Sequence, residues 1–162
     1  VTREQAILGA SLRRALSGAG AHAGTATVFS GLDWKLAGIR PGRAPHSVWE
    51  LLNHMVYWQE WVVGWLEGHP ARLPARAKGS WPGARGPASR QEWTRAVRRF
   101  RRGLTATTRW SRAADLYAKG RGKSRLDMLE TIAVHNSYHA GQVVVLRQLL
   151  DAWPPPSGGL TW

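Results

Sequence analysis

Four stretches of helical periodicity each open on a Ser or Thr followed, three residues later, by an acid or a Gln. The pairs are Thr2 and Gln5, Ser47 and Glu50, Ser89 and Glu92, and Ser124 and Asp127. At that spacing the hydroxyl accepts from the backbone N–H three residues on, and the longer side chain reaches back to the first N–H. One such pair is weak evidence for a helix start. Four, each opening a stretch of helical periodicity, restrict the chain to an all-α architecture of four helices. At 162 residues this is one domain, residues 1–162, with room for a proper core.

The first helix is expected from about Thr2 to Leu16, with Ile7, Leu8, Leu12 and Leu16 as its apolar stripe and Gly18-Ala19-Gly20 as its end. A short helical piece is expected over His22 to Leu32, with Val28, Phe29 and Leu32 inward. The next long helix runs from Ser47 to Glu67 and is stopped by Gly68 and Pro70. Residues 68–88 are rich in Gly and Pro, a long link of the kind that serves as a crossover or a lid. At about 3.3 Å per residue it can retrace a helix of roughly 30 Å, so the helices it joins can run parallel, as in bundles with a long crossover between helices 2 and 3. The third helix is expected from Ser89 to about Trp110, with Trp93, Val97, Phe100 and Leu104 inward and arginines over much of the rest. A polar link, 111–123, leads to the fourth helix, Ser124 to about Asp151. Pro154-Pro155-Pro156 forbids further helix, and Trp162 is expected to pack back.

The fourth helix carries the unusual chemistry. Its inward positions 128, 132, 135, 139, 142, 146 and 149 step by threes and fours. His135 and His139 sit among them, one above the other on a single face. On the second helix the stripe is Leu51, His54, Trp58, Trp61 and Trp65. A buried imidazole without a partner is costly. One reading is three core histidines bonded to neighbours. The other is a metal site built from facing helices, with three neutral imidazoles holding one divalent ion and leaving positions open. Zn and Ni are favoured by ligand type, with Fe, Mn and Co also compatible. Glu50, one turn before His54, and Gln142, close after His139, are candidates to accept the remaining ring N–H of a ligand. Tyr138, Asn53 and Asn136 flank the ligands. His22, His46 and His69 read as surface residues, and the Trp58, Trp61, Trp65 row as core or dimer interface.

There is no Cys, which excludes disulfides, thiolate ligands and a Cys nucleophile. No run of about 18 apolar residues exists, so no membrane span is expected. The polar start, Val1-Thr2-Arg3-Glu4-Gln5, does not read as a signal peptide, and a cytoplasmic location is the default. The net charge of +13 is compatible with nucleic acid, an acidic partner or an anionic small substrate. Nucleic acid is disfavoured, because Trp93 and Phe100 fall on the buried row and would not be free to stack on bases.

The segments Ser47-Val48-Trp49-Glu50-Leu51-Leu52-Asn53-His54 and His135-Asn136-Ser137-Tyr138-His139-Ala140-Gly141-Gln142 resemble those of the DinB/YfiT-like superfamily. Ala21-His22 and the tail from Leu146 to Trp162 are similar to one of its branches, while residues 68–123 carry little of the likeness. The resemblance implies a four-helix bundle with a long crossover, and three metal-binding histidines at His54, His135 and His139. It also implies a homodimer, and an activity among metal-dependent transferases of small thiols such as bacillithiol or mycothiol. The expected function is thiol S-transfer to a small electrophile. The rivals are a metal-dependent hydrolase, a metal-bearing stress protein without turnover, and a nucleic-acid-binding module.

Overall fold

The structure, a computed structural model, describes residues 2–18, 20–120 and 122–158. Among them the chain forms four α-helices: α1 (Arg3–Ser17), α2 (Val48–Leu66), α3 (Arg90–Trp110) and α4 (Arg125–Leu149). The link before α4 adds a minimal antiparallel ladder, β1 (Lys119–Gly120) against β2 (Lys123–Ser124). Gly122, at φ 80°, sits in its turn, where a side chain would strain the backbone. The tail position Trp162 lies outside the described residues.

The capping residues do what their spacing implies. Thr2, Ser47 and Ser124 each form the reciprocal box with the residue three positions on. Ser89 forms half of one: its hydroxyl takes the N–H of Glu92, but the Glu92 carboxylate turns to the N–H of Ala88. The short helix expected over 22–32 is not there. A single 3-10 turn, Thr27–Phe29, stands in its place, and a second follows at Leu36–Gly38. Two glycines and a threonine are the reason. Gly20 and Gly31 take positive φ at its two ends. Between them Thr25 gives its N–H to the Ser17 carbonyl and its hydroxyl to the Leu16 carbonyl, so the i→i−4 ladder of a helix does not form. Val28, Phe29 and Leu32 are buried all the same.

The bundle has two apolar cores with a polar layer between them. One core joins the early part of α2 (Trp49 to Val56) to the early part of α3 (Trp93, Ala96, Phe100) and the late part of α4 (Ala140 to Leu146). The other joins late α2 (Val62, Leu66) to Leu12 and Leu16 of α1 and to early α4 (Met128 to Ala133), with Leu104 and Trp110 of α3 against it. Early therefore meets early between α2 and α3, which run in the same direction, and α4 runs opposite to both. The link 67–89 is the crossover that makes this parallel pairing possible. The exposed ends of two expected stripes, Ile7 and Leu149, fall outside both cores.

Arg147 pins the connections to α4. It is 1% exposed, and its guanidinium donates to the carbonyls of Val28, Ser30 and Ala152 while lying over the Trp153 ring. Those carbonyls offset the cost of burying the charge. The seven arginines of α3 are all exposed, whereas Trp93 and Phe100 are in the core. No helix among the described residues is long and apolar enough to cross a membrane.

Candidate metal centre

The polar layer holds His54, Gln59, His135, Asn136 and His139. Helical spacing brings them together: His135 and His139 are one turn apart on α4, and antiparallel α2 sets His54 opposite them. One ring nitrogen from each histidine lies within 4.8 Å of the others. Nε2 of His54 and Nε2 of His135 lie 3.2 Å apart. The separation agrees with one edge of a tetrahedron of imidazole nitrogens around a zinc ion, about 3.3 Å.

Hydrogen bonds fix which nitrogens are available. Ser80 Oγ spends its one proton on the Ala77 carbonyl, 2.8 Å away. It must therefore accept from Nδ1 of His54, at 3.0 Å, and the Ser80 carbonyl sits on the same proton at 3.4 Å. His54 thus turns its Nε2 lone pair toward Nε2 of His135, from which it accepts while no ion lies between them. His139 Nδ1 donates to Oε1 of Gln142 at 2.7 Å, which frees its Nε2. His135 has no such partner. Its Nδ1 is buried and lacks an aligned hydrogen bond, as does Oδ1 of the adjacent Asn136. The two become complementary once the ring proton sits on Nδ1 and Nε2 is turned to an ion. Asn136 is oriented by Gln59: its amide donates to Gln59 Oε1 at 2.8 Å, and Gln59 Nε2 donates to the Phe100 carbonyl at 2.7 Å.

The electrostatics keep the imidazoles neutral. Burial, then the neighbouring rings of His135 and His139, push His54 down to about 4. Burial and His139 push His135 down to about 4, with the Asn136 side chain pulling weakly the other way. Burial also lowers His139, against the Gln142 bond. Neutral imidazole is the ligating form, so at neutral pH no proton has to be removed first. The donor set, the spacing and the tautomers all suit a divalent ion, and the triad can hold one.

Two expectations about neighbours meet different outcomes. Gln142 lies where the sequence placed it, on His139 Nδ1. Glu50 does not reach His54: its carboxylate is taken by the guanidinium of Arg40 and the N–H of Ser47. The cap and the ion pair outcompete a bond to the ring, and Ser80 takes the place expected for Glu50. Asn53 and Tyr138 stay outside the triad. Asn53 donates to the Trp49 carbonyl, and Tyr138, 65% exposed, stands edge-on to the His139 ring. Of the histidines read as surface residues, His69 is exposed. His22 is half-buried and bonds Ser137. His46 is half-buried in a stack of three rings. Trp81 lies between His46 and His54, with ring centres 3.7 and 3.9 Å away and planes within 10° and 9° of parallel. Trp58, Trp61 and Trp65 pack half-buried against the second core, and Trp58 meets His54 and His135 edge-on.

Sequence reasoning missed Ser80 and Trp81. Both lie in the Gly/Pro-rich crossover, where no periodicity assigns a facing side. An open depression bordered by His135 and Tyr138 also carries Lys123, Asp127 and Glu130.

No curated protein and no solved structure matches the chain. The family model for the DinB superfamily matches residues 20–143, a span that includes both long apolar helix faces, the crossover and all three histidines. A helical bundle with a buried histidine triad, matched over that length, belongs to the DinB superfamily.

Proposed function

We propose that the chain is a metal-dependent transferase that joins a low-molecular-weight thiol to a small electrophile, with His54, His135 and His139 as the ligands of one divalent ion, Zn or Ni. The observation that carries the reading is the pair of facing Nε2 atoms at 3.2 Å, with His54 and His139 each held in the tautomer that ligates. A divalent ion at such a site lowers the pKa of a thiol or water beside it and so supplies a nucleophile at neutral pH. In the transfer, sulfur gains a bond to the electrophilic carbon, and the bond from that carbon to the leaving group breaks. The electron pair goes with the leaving group and the thiol proton goes to solvent. Ser80 and Gln142 hold the imidazoles in place, and Trp81 covers one face of His54. Lys123 in the depression beside His135 offers a cation to the carboxylates of a thiol cosubstrate. The homodimer implied by the family likeness belongs to the same proposal, and light scattering of the purified protein tests it.

A second reading, hydrolysis of a small substrate, is favoured by one observation: Glu130 lies in the depression with His135 and could act as a base there. Glu50 cannot, since its carboxylate is engaged. Elemental analysis of the purified protein tests the shared premise and should find one divalent ion per chain. A screen of thiols against small electrophiles then separates the readings. Thiol adducts that need the metal support transfer. Turnover without thiol, lost in Glu130→Gln, replaces it with hydrolysis.

A further inference from the structure

His54 is held from outside the bundle. The crossover is tied at its start by Trp61 Nε1 donating to the Ala71 carbonyl. It is tied at its end by Ser47 Oγ donating to the Arg85 carbonyl and by the backbone approach of Gly86 to Gly38, which leaves no room for a Cβ. Between these anchors residues 75–79 are exposed. What fixes the middle of the segment is Ser80 on His54 Nδ1 and Trp81 sandwiched between His54 and His46. We propose that Ser80 and Trp81 are positioning residues for His54, and that closure of the crossover and metal binding stabilise each other.

The chemistry supports a coupling in one direction. An imidazole that gives its Nε2 pair to a divalent cation loses electron density. Its ring is then attracted more strongly to the electron-rich face of the indole on which it lies. Its Nδ1–H becomes a stronger donor, and Ser80 accepts it. Both contacts therefore strengthen when the ion arrives, and by linkage the closed crossover raises the affinity for the ion. His46 backs the indole from the far side. With the Trp81 ring between them, His46 stands behind His54 and supplies no ligand.

This inference rests on the metal reading above, and zinc alone is the probe. Arg72, Arg76 and Lys78 are exposed in the crossover and open to trypsin. In the wild-type protein, zinc should slow cleavage at these sites by about threefold or more relative to the metal-free protein. In Trp81→Ala that protection should vanish, and the zinc dissociation constant should rise by about 10- to 100-fold, the range typical of partners behind a ligand. Trp81→Phe, which keeps a ring on His54, should recover most of the affinity. Equal cleavage with and without zinc in the wild type overturns the coupling without any variant. Wild-type zinc affinity in a folded Trp81→Ala overturns the positioning role. A wild-type protein that takes up no zinc overturns the metal centre itself, and the clamp with it.

Discussion

Two regions build the candidate centre, and they do so by different physics. Helices α2 and α4 bring the three histidines together through periodicity: one turn separates His135 from His139, and an antiparallel neighbour supplies His54. The crossover between α2 and α3 has no period, yet it supplies the hydrogen bond and the aromatic ring that hold His54. The helices fix where the ligands stand. The crossover fixes how one of them is turned. If the division is real, damage to the helical part should abolish binding and damage to the crossover should only weaken it.

Loss of a ligand is the largest effect expected. His135→Ala or His139→Ala should reduce zinc affinity by more than about 100-fold, beyond the roughly 10- to 100-fold range of partners behind the ligands. Ser80→Ala should fall inside that range. Titration against a competing chelator measures both. Equal losses in His135→Ala and Ser80→Ala would erase the distinction between the two regions.

That distinction also marks what could be read from the residues. The four helices, their capping residues and the inward histidines follow from local rules that act within one or two turns, and Gln142 shares this legibility because it lies on the face of its own ligand. Ser80 and Trp81 are 26 and 27 positions from His54, and nothing in Gly79-Ser80-Trp81-Pro82 says which way either side chain points. The helix expected over 22–32 failed for a related reason. Its apolar residues are buried, but Gly20 and Gly31 at positive φ give the segment a looped path to the same core. Glu50 was legible as a cap and illegible as the partner of Arg40, which comes from a loop ten residues upstream. Arg147 gave no signal at all, since its acceptors are backbone carbonyls brought in by the fold.

The largest effect on the metal-free fold is expected from pH. His54 and His135 are held near 4 in the folded chain, against an ordinary 6.5. Above about pH 6.5 both states carry neutral rings and nothing changes. As pH falls from about 6.5 to 4, the unfolded chain takes up protons that the folded chain refuses, so stability falls, and the contribution of these two groups levels off below about 4. The double variant His54→Leu/His135→Leu should flatten this slope, whereas Ser80→Ala should leave most of it. A metal-free wild-type protein whose melting temperature is level from pH 7 to 4.5 would show that the rings are not held neutral by the bundle.

A glycine tests the helical side of the comparison without touching a ligand. A Cβ on Gly103 would come within 2.4 Å of Gln59 Nε2, the amide that donates to Phe100 and orients Asn136. Gln59 is 1% exposed, and its Cγ and Cδ would also lie 2.9 and 3.0 Å from that Cβ, so the whole side chain would have to shift. Gly103→Ala should therefore destabilise by about 1–3 kcal/mol, as overpacking does, despite the better helix propensity of Ala. Urea denaturation measures it. A stabilised variant would mean that the polar layer is loose enough to yield.

The smallest effect comes from a pair beneath the crossover. Arg99 of α3 donates twice to the Glu60 carboxylate of α2, at 2.7 and 3.0 Å, and both side chains are nearly half exposed. They line a hollow with Ser80 and Trp81. In water such a pair contributes about 0.2–1 kcal/mol, less at high salt. Glu60→Gln should cost no more than that and leave zinc affinity as it is. If it weakens zinc binding as much as Ser80→Ala does, then the crossover is seated on this ion pair as well as on His54. The helices would then hold the loop as much as the loop holds the ligand.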